Sequence, residues 1–172
     1  MKRIITVVVQ NRSGVLNRVT GLFSKRQWNI ESLSVGPAEK PGCSKMTIVV
    51  EIDDDIHLDP FIKQLNKQID CLAVSDLTDQ AIVARELVLI KVLCHPQILG
   101  EIRAIVEPFR ASIIDVSATS VTIEVTGDAD KNDAIIEMLK PYGIKELART
   151  GITALPRGRQ RSVTEIKPRS VI

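Results

Sequence analysis

With 172 residues, 44% of them apolar and 26% charged, the chain has the composition of a globular protein able to bury one good core or two small ones. Only 3% are aromatic, so Val, Ile and Leu must build the core, and the β-branched ones favour sheet. No apolar run nears the ~20 residues that span a bilayer, and Met1-Lys2-Arg3-Ile4 leads into no signal-peptide pattern, so a cytoplasmic location and no membrane contact are expected. Cys43, Cys71 and Cys94 are odd in number and widely spaced, which argues against a disulfide scaffold or a zinc site. The net charge of +2 is uneven: residues 156–172 carry five basic residues against Glu165, a net +4, which leaves −2 on the rest. A nucleic-acid role would rest on that tail alone, and solvated disorder is the simpler expectation for it.

Along the chain, Ile4–Val9 reads as a buried strand. The polar turn Gln10-Asn11-Arg12-Ser13-Gly14 follows, with Ser13 as expected N-cap. Val15, Leu16, Val19, Leu22 and Phe23 then fall on one helical face. Ile30–Val35 and Met46–Ile52 read as strands, separated by a loop at Pro41-Gly42 and closed by Asp53-Asp54-Asp55. Phe61, Ile62, Leu65 and Ile69 mark a second helix, and Cys71–Leu77 a fourth strand. The order β-α-β-β-α-β is the ferredoxin-like plan.

A polar connector follows Leu77, and the pattern restarts: a strand at Leu87–Leu93, a helix marked by Ile98 through Phe109, and strands at Ser112–Val116 and Val121–Val125. A helix starting near Asp128 comes next, then an interrupted strand over Ile144–Leu155 with Gly151 as a bulge. At an offset of 83, Leu16 falls on Leu99, Val19 on Ile102, Phe23 on Val106 and Ile30 on Ile113, all apolar pairs. The polar turn is not repeated, since Asn11 falls on Cys94, Gly14 on Gln97 and Asn29 on Ser112. The expected fold is α+β, two tandem ferredoxin-like βαββαβ domains. The expected boundaries are 1–78, a linker at 79–85, 86–158, and a basic tail at 159–172.

A strand feeding a glycine-opened helix gathers unpaired N–H groups at one spot, suited to a carboxylate. Gly14 by itself is explained by a tight turn. Asn11 and Asn29, which flank the same helix, each add a donor and an acceptor, the mix that a zwitterionic amino acid needs. Val15 and Leu16 read either as a pocket for an apolar side chain or as ordinary core. Trp28 and Arg26 read either as packing over the sheet edge or as a partner anchor. Cys94-His95 has no third ligand or base near it in the sequence, and His57 and His95 form no evident acid–base pair, so no catalytic residue and no metal ligand is assigned. An RNA-recognition domain shares the strand order but stacks bases on sheet aromatics, and these strands are rich in Val and Ile instead.

The motifs Asn11-Arg12-Ser13-Gly14-Val15-Leu16-Asn17-Arg18-Val19, Gly21-Leu22-Phe23-Ser24, Asn29-Ile30-Glu31-Ser32-Leu33 and Ser44-Lys45-Met46-Thr47-Ile48 resemble the ACT domain. With Arg85-Glu86, Phe109-Arg110, Ile114-Asp115-Val116 and Ala148-Arg149-Thr150-Gly151, the likeness narrows to the regulatory, small-subunit family of acetolactate synthase, over about residues 2 to 158. The resemblance implies an N-terminal ACT domain, a C-terminal ferredoxin-like domain and a homodimer whose N-terminal domains share a sheet. It implies valine bound at that interface: Asn11, Gly14, Val15 and Leu16 hold it from one chain, and Asn29 and Ile30 approach from the other. It further implies a non-catalytic chain that activates a catalytic subunit carrying thiamine diphosphate, Mg²⁺ and FAD, with no cofactor of its own. Arg12-Ser13 stands where many ACT domains have an acidic-Arg or Arg-Pro pair, which leaves open the choice among valine, leucine and isoleucine. The alternative is a stand-alone ACT-type sensor that regulates another enzyme or transcription.

Overall fold

The computed structural model describes residues 1–52 and 57–158. The acidic run Asp53–Asp55 and the basic tail beyond residue 158 lie outside the described residues. The chain divides into two compact units. The first is Met1–Val83 joined by the segment that begins at Gly151, and the second is Ala84–Thr150. The second unit is thus an insertion in the sequence of the first.

In the first unit β1 (Lys2–Gln10), α1 (Val15–Ser24), β2 (Asn29–Pro37), β3 (Cys43–Glu51), α2 (Leu58–Asn66) and β4 (Cys71–Asp76) follow the expected order. The sheet runs β2-β3-β1-β4 and is antiparallel throughout. One face of β1 and β3 (Ile5, Val7, Val9, Met46, Ile48, Val50) packs against Val15, Val19, Leu22 and Phe23 of α1 and Phe61 and Leu65 of α2. Each such side chain contributes about 1.5–3 kcal/mol by leaving water. The few aromatics concentrate here. Phe61 meets Phe23 edge-on at 4.6 Å and Trp28 at 4.8 Å, and the Arg26 guanidinium lies 4.8 Å from the Phe61 ring centre and 5.7 Å from that of Trp28. Trp28 therefore packs inward on its own core.

The second unit repeats the plan with β5 (Ile82–Leu93), α3 (Leu99–Val106), β6 (Ser112–Val116), β7 (Ser120–Gly127), α4 (Ala129–Leu139) and β8 (Ile144–Arg149). Its sheet order is β6-β7-β5-β8. Ile102 and Val106 are buried like their counterparts Val19 and Phe23, so the offset of 83 is structural at those positions. Asp128 caps α4, its Oδ1 accepting the Lys131 N–H at 3.0 Å.

One expectation needs correction. The N-cap of α1 is Gly14 in a left-handed conformation, not Ser13, and no side chain caps that helix. The last strand is interrupted as expected: β8 and β9 (Thr153–Pro156) both pair with β5, and Gly151 falls in the break between them, where it also lies against the backbone of Leu33.

Candidate functional site: the β1–α1 turn and the edge strand β2

The turn after β1 is held from both sides. The Asn11 N–H donates to the Gly42 carbonyl at 2.8 Å and the Gln10 N–H to the Asp70 carbonyl at 2.9 Å. Arg12 N–H bonds back to the Gln10 carbonyl at 2.9 Å. Gly14 then adopts φ 78°, the left-handed region that glycine enters without strain, and α1 begins. With no capping side chain and no acidic residue in the first turn, the positive end of the α1 dipole is uncompensated. Arg18, one turn along, bends back over Gly14. Its Nη2 lies 2.6 Å from Asp70 Oδ2, and its Nη1 would lie 3.2 Å from a Cβ placed on Gly14. An anionic group is therefore favoured at this spot, and Asn11, Ser13 and Gly14 are exposed to receive it.

The two residues read as pocket or core divide between those roles. Val15 is 3% exposed and belongs to the core, whereas Leu16 is 42% exposed beside the open turn. Cys71, beneath the turn on β4, has its thiol pushed up to about 11 by burial and then by the neighbouring Asp70 charge, so it is no nucleophile at neutral pH. Among the described residues no His/Cys/Asp/Glu cluster has a metal-holding arrangement, and no helix is long and apolar enough to cross a membrane.

Asn29 and Ile30 are not near this turn within one chain. Asn29 pairs in register with Glu51, which also faces Lys2 at the start of β1; the turn lies at the opposite end, where Gln10 faces Cys43 and Pro37 faces Ser44. Nine residues of β3 separate the two ends, about 27 Å. Asn29 is exposed, and Ile30 is half-buried against the core. Both stand on β2, whose outer edge is unpaired in this sheet. Val35, near the other end of β2, is 45% exposed. Sequence reasoning had passed over Arg18 and Asp70; the only signal was their charge next to an apolar helix face and strand.

The βαββαβ order and the antiparallel β2-β3-β1-β4 sheet are those of the ferredoxin-like class of folds, to which ACT domains belong. Residues 5–73 match the model of the AHAS small subunit-like ACT domain, and residues 85–158 match that of the small subunit of acetolactate synthase. The chain is 55% identical over 172 residues to the acetolactate synthase small subunit of Bacillus subtilis, covering 100% of both. It is 52% identical over 161 residues to a probable acetolactate synthase small subunit of Archaeoglobus fulgidus, covering 94% of this chain and all of that one. Its fold superposes on the crystal structure of the small subunit from Thermotoga maritima with a TM-score of 0.84 and 37% identity, over 92% of this chain and 98% of that one. The chain belongs to the acetolactate synthase small-subunit family.

Proposed function

We propose that this chain is the non-catalytic regulatory subunit of a cytoplasmic acetolactate synthase, activating the thiamine-diphosphate-dependent catalytic subunit and making it sensitive to valine. Thiamine diphosphate, Mg²⁺ and FAD would belong to that partner. The reading is carried by the split of the site residues between opposite ends of one sheet. If β2 pairs antiparallel with β2 of a second copy, the Asn29 end of one strand lies beside the Pro37 end of the other. That end is the one next to the Asn11–Leu16 turn. A homodimer would thus bring Asn29 and Ile30 of one chain to the turn of the other, which a single chain cannot do.

In such a site the amino-acid carboxylate meets the amides at the start of α1 and the positive dipole end. The carbonyl oxygens of Asn11 and Asn29 accept from its ammonium, and Leu16 lines the aliphatic group. Inhibition follows by linkage, because an effector at the dimer interface stabilises whichever arrangement it binds more tightly, and that arrangement would be the less active one. The family match favours this over a stand-alone sensor, which would have the site without the catalytic partner.

Titration calorimetry with L-valine on wild type and Gly14→Asp tests the site, and activity reconstituted with the catalytic subunit tests the role. Saturable binding by wild type alone, with activation retained by both, is expected. A Gly14→Asp variant as valine-sensitive as wild type would remove the site from this turn.

A further inference from the structure

The two units share one backbone design where the first helix of each gives way to its edge strand. In the first unit the Gln27 N–H donates to the Ser24 carbonyl at 2.9 Å and the Trp28 N–H to the Phe23 carbonyl at 3.2 Å. In the second unit the Arg110 N–H donates to the Glu107 carbonyl at 2.9 Å and the Ala111 N–H to the Val106 carbonyl at 3.3 Å, each residue following its counterpart at the offset of 83. Gln27 and Arg110 both take a left-handed conformation, with φ 58° and 51°. Each edge strand then shifts register after its second residue, between Ile30 and Ser32 in β2 and between Ile113 and Asp115 in β6.

The side chains on this shared backbone differ. Trp28 packs on the first core, edge-on to Phe61 and beneath the Arg26 guanidinium. Its counterpart is Ala111, and there the second unit has an open groove of about 630 Å³. The groove is lined by the apolar Val106, Ala111 and Ile113 and by Arg103, Glu107 and Arg110. Among the described residues, the side chains of Arg103, Glu107 and Arg110 have no ion-pair or hydrogen-bond partner. Ile113 belongs to β6, the end strand of its sheet, which pairs with β7 alone. Ile114 and Val116 of β6 are each more than half exposed. An apolar edge strand beside an apolar groove can accept an extended segment of another chain, with its main chain on the edge and a side chain in the groove.

We propose that the Ala111 groove and the β6 edge form a docking site for the catalytic subunit. That partner adds an extended segment to β6 and sets an aromatic side chain where the first unit has Trp28, with a carboxylate beside it for Arg103 and Arg110. The inference rests on the regulatory-subunit reading above and adds the surface through which that role would act. The repeat itself prescribes an aromatic ring, and guanidinium groups at the rim can lie over its face as Arg26 does over Trp28. Two cations against Glu107 leave the rim positive, which selects an acidic neighbour. A second copy of this chain has no ring to offer. Of its five aromatic residues, Phe23 and Phe61 are fully buried, Trp28 packs on the first core, and Phe109 and Tyr142 pack on the second. Aromatic side chains seated in pockets are common anchors of protein interfaces.

The test titrates the full chain into the catalytic subunit and reads the concentration that gives half-maximal activation. Ala111→Trp fills the groove from within, as Trp28 does in the first unit, and should raise that concentration about tenfold or more. Arg110→Gly removes one guanidinium at a left-handed position that glycine takes without strain, so the fold is kept. It should raise the concentration about threefold. Circular dichroism of both should match wild type, and Arg110→Gly decides the matter if Ala111→Trp fails to fold. Half-maximal activation at the wild-type concentration in both variants overturns the site and leaves the regulatory role standing. If Ala111→Trp alters the sedimentation of the small subunit alone but not activation, the groove belongs to a second copy, which also overturns the proposal. A wild type that neither binds nor activates the catalytic subunit defeats the regulatory reading, and the docking site with it.

Discussion

Arg18 reaches back across Gly14 to Asp70, with its Nη2 2.6 Å from the carboxylate and its Nη1 where a side chain on residue 14 would have to stand. The turn that opens α1 is thus bounded by the Arg18 cation on the side of β4, with no acidic residue in the first turn of the helix to offset it.

Gly14→Asp should act as a built-in competitor, because its carboxylate would stand beside Arg18 and the open amides. L-valine affinity should fall by tenfold or more, by roughly the worth of a charged hydrogen bond. Gly14→Ala carries the same left-handed backbone cost, about 1–2 kcal/mol of stability, without the charge. Calorimetry should show it binding more tightly than Gly14→Asp, while melting shows both destabilised.

Val35→Asp places a carboxylate on the exposed end of β2. In a twofold β2–β2 pairing each charge is desolvated against the partner strand, and edge charges are a common means of preventing such pairing. Sedimentation should find wild type dimeric and Val35→Asp shifted to monomer, with its circular dichroism unchanged. A dimer that survives would place the interface elsewhere.

Trp28 is the single tryptophan, adjacent to Asn29, edge-on to Phe61 and beneath the Arg26 guanidinium. Its emission should change saturably on L-valine addition, and the change should be absent in Gly14→Asp. Arg26→Ala should alter the starting emission, since it removes the cation over the ring.

Burial raises the Cys71 thiol from an ordinary value of 9.0 to about 11, so the folded state holds its proton more tightly than the unfolded chain does. The resulting stability is complete below pH 9 and is lost as pH rises from about 9 to about 11. Melting temperature should therefore fall more steeply across that window in wild type than in Cys71→Ala. At pH 8 the native thiol should react slowly with disulfide reagents.

Glu86 has a side chain only 5% exposed and depends on Arg149, whose guanidinium is itself held in its charged form by that bond. Arg149→Ala should cost about 2–3 kcal/mol by leaving a buried carboxylate unpaired. Glu86→Gln added to it should recover part of that loss. Denaturant unfolding of the three proteins measures the coupling.

Much of the architecture was legible because strand and helix are written in local periodicity. The Val and Ile runs of β1 and β5, the stripe Val15–Phe23 and the start of α4 near Asp128 each declare themselves within a few residues. The α1 cap was misassigned to Ser13 because a hydroxyl before a helix is the commoner device. Whether Gly14 takes the left-handed turn instead is decided by the bonds of Asn11 to Gly42 and Gln10 to Asp70, both distant in sequence.

The sequence alone determined the two βαββαβ units and the residues of the turn, since these depend on side-chain period and on glycine. The tertiary structure alone decided that Asn29 and Ile30 stand at the far end of the sheet from Gly14, because strand register sets that separation and periodicity carries no register. It alone decided that Gly151, in the break between β8 and β9, also lies against the backbone of Leu33. A contact between residues 33 and 151 depends on how the chain returns on itself, and no local pattern records that path.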